Sequence, residues 1–234
     1  MFNICDMKKL IVLSMVFVSL MACSFALPGK IIIGNGVRAE KAFDLGTFDA
    51  VSVNGSADVI FRQGTQKVLL VADENILDLF EIVVKDGTLC VGTKKGSNYS
   101  SKNDVVVFVN SPVLKAAKIN GSGECDIKGT LRCADDFSFS INGSGDLEAD
   151  EIECRNFAAK VSGSGDIEVN ALTAASADIR INGSGDVSLN CREVGDIVAG
   201  INGSGDVELQ GKARSLSSKV HGSGEIDSRR LNLL

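Results

Sequence analysis

Ile141-Asn-Gly-Ser-Gly-Asp146, Val161-Ser-Gly-Ser-Gly-Asp166, Ile181-Asn-Gly-Ser-Gly-Asp186 and Ile201-Asn-Gly-Ser-Gly-Asp206 are four copies of one phrase. Ile119-Asn-Gly-Ser-Gly-Glu124 precedes them and Val220-His-Gly-Ser-Gly-Glu225 follows. The six starts are 22, 20, 20, 20 and 19 residues apart. A period that regular marks stacked units, none of which can bury its apolar face alone.

The residues around the phrase define the unit. Before it runs an alternating segment: Phe137, Phe139, Ile141, then Phe157, Ala159, Val161, then Ala177, Ile179, Ile181. After it runs another: Leu147 and Ala149, Ile167 and Val169, Val187 and Leu189, Val207 and Leu209. A period of two means strands with one face inward. Leu131, Ile152 and Leu172 mark a third inward position. No period holds a helix-length apolar stripe. The fold class is therefore all-β, a single-chain parallel β-solenoid with coils of about 20 residues, rising roughly 4.7–4.9 Å per coil. The spaced leucines and buried asparagine of a leucine-rich repeat are missing.

Glycine belongs at the corner because the chain must turn sharply and equivalent corners must stack closely. The candidate structural residues are the glycine pairs Gly121 and Gly123, Gly143 and Gly145, Gly163 and Gly165, Gly183 and Gly185, Gly203 and Gly205, Gly222 and Gly224. The acid after each pair would form a ladder. Like charges about 5 Å apart in water repel by roughly 0.8 kcal/mol. One hydrogen bond from a corner N–H, about 1.5–3 kcal/mol to a charged group, offsets that. A calcium ion on the ladder is allowed but not required, and known calcium-binding glycine repeats have about half this period. No cofactor is expected.

Residues 1–26 read as a targeting segment. Lys8 and Lys9 precede an uninterrupted run of apolar or small residues from Leu10 to Ala22, too short for a membrane span and suited to a signal peptide. Leu20-Met-Ala-Cys23 resembles a bacterial lipobox, which makes Cys23 the candidate lipidation site. Ser24-Phe-Ala26 would serve as an ordinary cleavage site instead. The lipoprotein reading is preferred, with an outer-membrane or cell-surface location ahead of a soluble periplasmic one, and contact with membrane only through the anchor.

Residues 27–46 read as an N-terminal linker, 47–228 as the solenoid domain and 229–234 as a tail or cap. Within the domain, Asn54-Gly-Ser-Ala-Asp58 is a degenerate corner, and Asp73 to Phe80 suits a short helical turn. Lys85-Asp-Gly87 between apolar runs signals a hairpin. Gly92 to Asp104 is polar and reads as an exposed loop.

This order resembles the putative auto-transporter adhesin, head GIN domain family. The residues that carry the resemblance are Phe48-Asp-Ala-Val51, Asn54-Gly-Ser-Ala-Asp-Val59, Ala72-Asp-Glu-Asn75, Asp86-Gly-Thr-Leu89, the strand end at Pro112 and the Gly-Ser-Gly-Asp repeats. The resemblance implies a right-handed β-helix, frequent export or lipoprotein signals, and no established catalytic residues.

Other function classes fit poorly. The chain is net acidic, at −6, and shows no basic stripe or aromatic stacking platform, so nucleic acid is not an expected partner. His221 is the only histidine and occupies a corner position held elsewhere by Asn or Ser, which gives no Ser-His-Asp constellation. Cys90, Cys125, Cys133, Cys154 and Cys191 form no even framework. Cys133 and Cys154 fall on adjacent coils, either as a disulfide or, the preferred reading, as small buried residues. The expected function is that of a non-catalytic adhesin or scaffold whose ligand is a surface or matrix protein or glycan, with envelope polysaccharide binding or processing as the alternative. The Gly92–Asp104 loop and the corner ladder are the candidate contact surfaces. Self-association through a coil end stays open.

Overall fold

The computed structural model describes residues 31–234; the expectations for residues 1–30, including Cys23, lie outside it. In chain order, the first strands are β1 (Ile31–Ile33), β2 (Arg38–Phe43), β3 (Ala50–Gly55), β4 (Asp58–Gln63) and β5 (Lys67–Asp73). A 3-10 turn at Glu74–Leu79 leads to β6 (Phe80–Lys85), β7 (Thr88–Thr93), β8 (Asn98–Ser100) and β9 (Val106–Ser111). The repeats supply β10 (Ala116–Gly121), β11 (Glu124–Arg132), β12 (Phe137–Gly143), β13 (Asp146–Gly163), β14 (Ile167–Gly183), β15 (Val187–Gly203), β16 (Val207–Gly222) and β17 (Ile226–Leu233).

These strands make a parallel β-solenoid with two principal faces that meet at the Gly-Ser-Gly corner. The pre-corner face stacks β3, β10, β12 and the second halves of β13 to β16 in parallel. The post-corner face stacks β4, β11, the first halves of β13 to β16, and β17. Register is one-to-one at every corner: Ile141 pairs Val161, Val161 pairs Ile181 and Ile181 pairs Ile201. The alternating apolar residues point inward on both faces, and Leu131, Ile152 and Leu172 close the third side, each fully buried. Phe137, Phe139 and Phe157 form an aromatic cluster in the core, with ring centroids 5.0 to 6.4 Å apart.

The N-terminal end is closed by a change of strand direction. On the post-corner face β9 continues the parallel stack beneath β4, but β5 joins β9 antiparallel and β2 joins β5 antiparallel. On the pre-corner face β7 lies parallel to β3, and β6 returns antiparallel through the Asp86-Gly87 turn. Both residues of that turn have positive φ, 50° and 74°, as a two-residue hairpin requires. The parallel array thus ends in hairpin-like edges rather than in a bare coil.

Three segments differ from the sequence reading. Residues 31–43, expected within a linker, carry β1 and β2. The pattern Arg38-Ala-Glu-Lys-Ala-Phe43 is too polar to signal a strand alone, yet it pairs residue for residue with the apolar edge of β5. The Gly92–Asp104 stretch is not a free loop. Its β8 pairs β1, Tyr99 packs on Phe80 with centroids 5.2 Å apart, and Ser101, Lys102 and Asn103 converge on the buried Asp73. The Lys102 backbone N–H, 2.8 Å from Asp73 Oδ2, is the main cause holding that carboxyl below its usual range, with Asn103 and Ser101 adding to it. A buried carboxylate needs such donors, and this segment supplies them. The C-terminal residues 229–234 lie mostly within β17 and extend the post-corner face; Leu231 packs on the core, whereas Leu233 and Leu234 are 58% and 79% exposed.

Candidate functional site

The corner comes first because it sets the spacing of everything outside it. The first glycine of each pair sits at φ between 135° and 147°, a conformation that favours glycine. Its carbonyl accepts the N–H of the serine one coil above, as from Ser164 to Gly143 at 2.9 Å and from Ser184 to Gly163 at 2.8 Å. The second glycine is needed for space. A Cβ on Gly165, Gly185 or Gly205 would fall 2.0–2.1 Å from the carbonyl oxygen of its counterpart below. Ala57 is tolerated at the first corner, where no Gly-Ser-Gly lies beneath.

The acid after the corner points along the stack. Asp146 Oδ1 accepts the Asp166 N–H at 2.9 Å, Asp166 that of Asp186 at 2.8 Å, Asp186 that of Asp206 at 2.7 Å, and Asp206 that of Glu225 at 2.7 Å. Asp58 does the same for Glu124 at 3.2 Å. Each of these five carboxylates therefore answers one backbone donor of the next coil.

Beside this ladder, Glu124, Asp126 and Glu148 bring carboxylate oxygens within 4.8 Å of one another. Lys128 Nζ stands 2.9 Å from Asp126 Oδ2, while Asp126 Oδ1 has no hydrogen-bond partner. These are the described residues that could hold a cation, and Lys128 already answers part of their charge. Burial first, and then the neighbouring Asp126 carboxylate, push the Glu124 carboxyl up to about 7. The folded chain therefore binds a proton that the unfolded chain releases, and stability falls as pH rises from about 4.5 to about 7. Glu124→Gln keeps the protonated form's shape without its charge. Discounted for solvent screening, it is expected to stabilise by about 1 kcal/mol at pH 8, or about 2–4 °C in Tm, and to leave stability at pH 4 unchanged. Thermal melts at the two pH values check this, and a lower Tm at pH 8 would contradict it.

The cysteines are free thiols in the structure. Burial raises Cys133 to about 11 and Cys154 to about 12, and Cys133 Sγ donates to the Leu114 carbonyl at 3.0 Å. At neutral pH these are packing groups and not nucleophiles. His221 is exposed, next to Asn202 in register, with no acid opposite it.

Outside the corner, the two faces differ in charge. On the post-corner face one outward row runs Asp126, Glu148, Glu168, Ser188, Glu208, Asp227, parallel to the corner acids. On the pre-corner face the equivalent row runs Lys118, Ser140, Lys160, Arg180, Gly200, Lys219. The expectation of no basic stripe is corrected here: the stripe exists across the coils, not along the chain. Its members are about 20 residues apart, so no local window shows them. Aligning the six repeats by the residue before Ile or Val would have found it.

A row of side-chain amides borders these cations: Asn54, Asn120, Asn142, Ser162, Asn182, Asn202, His221. Its lower members bond one another, Asn120 Nδ2 to Asn54 Oδ1 at 3.0 Å and Asn142 Nδ2 to Asn120 Oδ1 at 3.2 Å. Ser162 interrupts the series. Above it Asn182 and Asn202 have no side-chain hydrogen bond among the described residues. They flank a shallow hollow of about 360 Å³ at Gly200, where the row lacks a side chain between Arg180 and Lys219. A second, wider groove of about 970 Å³ lies at the capped end of the other face, with Ile60, Leu69 and Phe108 as its apolar floor and Arg62, Lys67 and Lys128 at its rim.

The family model described as "Putative auto-transporter adhesin, head GIN domain" matches residues 47–174 and 167–233. No curated protein matches the chain. Among solved structures, a putative adhesin from Bacteroides fragilis is similar at 19% identity and a TM-score of 0.70, covering 83% of this chain and 98% of that one. A putative adhesin from Parabacteroides merdae is similar at 23% identity and a TM-score of 0.58, covering 84% and 98%. A putative lipid binding protein from Parabacteroides distasonis is similar at 24% identity and a TM-score of 0.55, with the same coverage. At such identities the likeness is one of fold.

Proposed function

The chain belongs to the putative auto-transporter adhesin, head GIN domain family, and from that premise we propose that it is a non-catalytic rod of the cell envelope, presenting its lateral faces for adhesion or scaffolding. The observation that carries this reading is the one-to-one register of the strands on either side of each corner, which fixes outward side chains into straight rows at the strand spacing. A preorganised row costs little ordering entropy when it meets an extended partner. The non-catalytic part rests on the single exposed histidine and on the corner aspartates, each of which answers a backbone donor. The opposite charge of the two faces supports a second reading, in which the partner is an envelope polysaccharide.

Location tests the proposal. Labelled lipid is expected to incorporate into the wild-type protein and not into Cys23→Ala, and protease added to intact cells is expected to remove the solenoid from the wild-type surface. Absence of lipid together with full protection from protease would overturn surface display in favour of a soluble periplasmic protein.

A further inference from the structure

The pre-corner face has an electrostatic character opposite to that of the molecule. Of its four cations, only Arg180 meets an acid, Asp178 at 2.7 Å; Lys118, Lys160 and Lys219 have no ion pair among the described residues. Other cations of the repeats do find acids, as Lys128 with Asp126, Arg132 with Glu153 and Arg214 with Asp196. The row on the other side of the cations, Ala116, Ser138, Ala158, Asp178, Val198, Ser217, contains one acid. All four cations are exposed. From Lys118 to Lys219 they span five coil steps, roughly 24 Å at the strand spacing.

We infer that this face binds a linear acidic polysaccharide laid along the solenoid axis, with Lys118, Lys160, Arg180 and Lys219 meeting its carboxylates and the free amides of Asn182 and Asn202 meeting its hydroxyls. The inference rests on the envelope role proposed above and names the partner class and the surface. Charge complementarity selects a polyanion. The straight row selects an extended polymer over a compact anion, since no single anion reaches more than two coils. Unsatisfied amides beside the charges select a ligand with neutral hydroxyls, because each Asn offers both a donor and an acceptor. The hollow at Gly200 admits a sugar ring between Arg180 and Lys219. Nucleic acid fits less well: His221, at the end of the amide row, is the one ring in the three rows of this face, too few for successive bases to stack on. The acid row of a second copy also fits less well, because Asp126, Glu208 and Asp227 already pair with Lys128, Arg230 and Arg229.

The test uses the purified full chain with polygalacturonate, and with dextran and polyaspartate as neutral and non-sugar controls. Wild type is expected to bind polygalacturonate in a salt-sensitive way, polyaspartate more weakly and dextran not at all. The triple variant Lys118→Glu, Lys160→Glu, Lys219→Glu is expected to lose at least about tenfold in affinity while melting as wild type does, since these side chains are exposed. Asn182→Ala with Asn202→Ala is expected to weaken polygalacturonate about threefold and leave polyaspartate unchanged. Ser140→Lys, which adds a cation to the row between Lys118 and Lys160 and leaves the hollow at Gly200 open, is expected to strengthen binding, a gain that misfolding cannot mimic. No binding by wild type, equal binding of the two polyanions, or no effect of the triple variant would each overturn the inference. Self-association that the triple variant abolishes, without polysaccharide binding, would assign the face to a second copy instead. A rod protected from protease on intact cells would fail the surface reading while leaving the binding result standing.

Discussion

Alanine at Gly183 is expected to destabilise the protein by about 2–5 kcal/mol. Two costs add at this position. At φ 140° an L side chain is strained, by about 1–2 kcal/mol. The added Cβ would also stand 2.1 Å from the Gly163 carbonyl oxygen, a backbone atom that cannot rotate away. That oxygen accepts the Ser184 N–H, so relief by coil separation would break the corner bond. Overpacking of this kind costs about 1–3 kcal/mol. At about 2–4 °C per kcal/mol for a chain of this size, the melting temperature should fall by roughly 10 °C. Gly46→Ala is the control: it is exposed, with nothing within 4 Å of the added atom, and its melt should match wild type. A Gly183→Ala melt within a degree or two of wild type would show that the corners are not close-packed.

Phe157→Ala is expected to cost about 3–5 kcal/mol for a different reason. Phe157 is 1% exposed, with its ring stacked 6.4 Å from Phe137 and edge-on 6.0 Å from Phe139. The coil above offers Ala177 at the same register, so no side chain there can swing in to fill the space. The loss therefore combines transfer, cavity and aromatic pairing. Phe157→Leu, which leaves most of the volume in place, should cost less than half as much. Equilibrium urea unfolding of the two variants checks the ranking, and equal values would mean that the core collapses around the deletion.

The repeat itself was legible because it is written locally. Phe137 to Ala149 and its copies contain the corner, both flanking strands and their inward faces, all decided by steric and hydrophobic rules that act between near neighbours. The capped end was not legible in the same way. Arg38 to Phe43 becomes a strand only because β5 presents an edge to it, and Lys102 is fixed because Asp73 lies buried beside it. Both depend on partners about 30 residues away. The cation row fell between these cases. Lys118, Lys160, Arg180 and Lys219 are visible in the sequence, but their alignment is a property of the stack, read by comparing equivalent columns rather than neighbouring residues.

The one-to-one register of the coils at their corners makes length an adjustable quantity. A coil brings its own corner glycines, its own acid to answer the next coil, and one position in each outward row. Copying a unit such as 164–183 between its neighbours would repeat contacts that the solenoid already makes, and would leave the antiparallel cap untouched. What would change is valency. A face whose contacts are each weak gains avidity with every position added, provided the partner is long enough to follow. Coil number then acts as a dial on binding strength that leaves the chemistry of each contact alone.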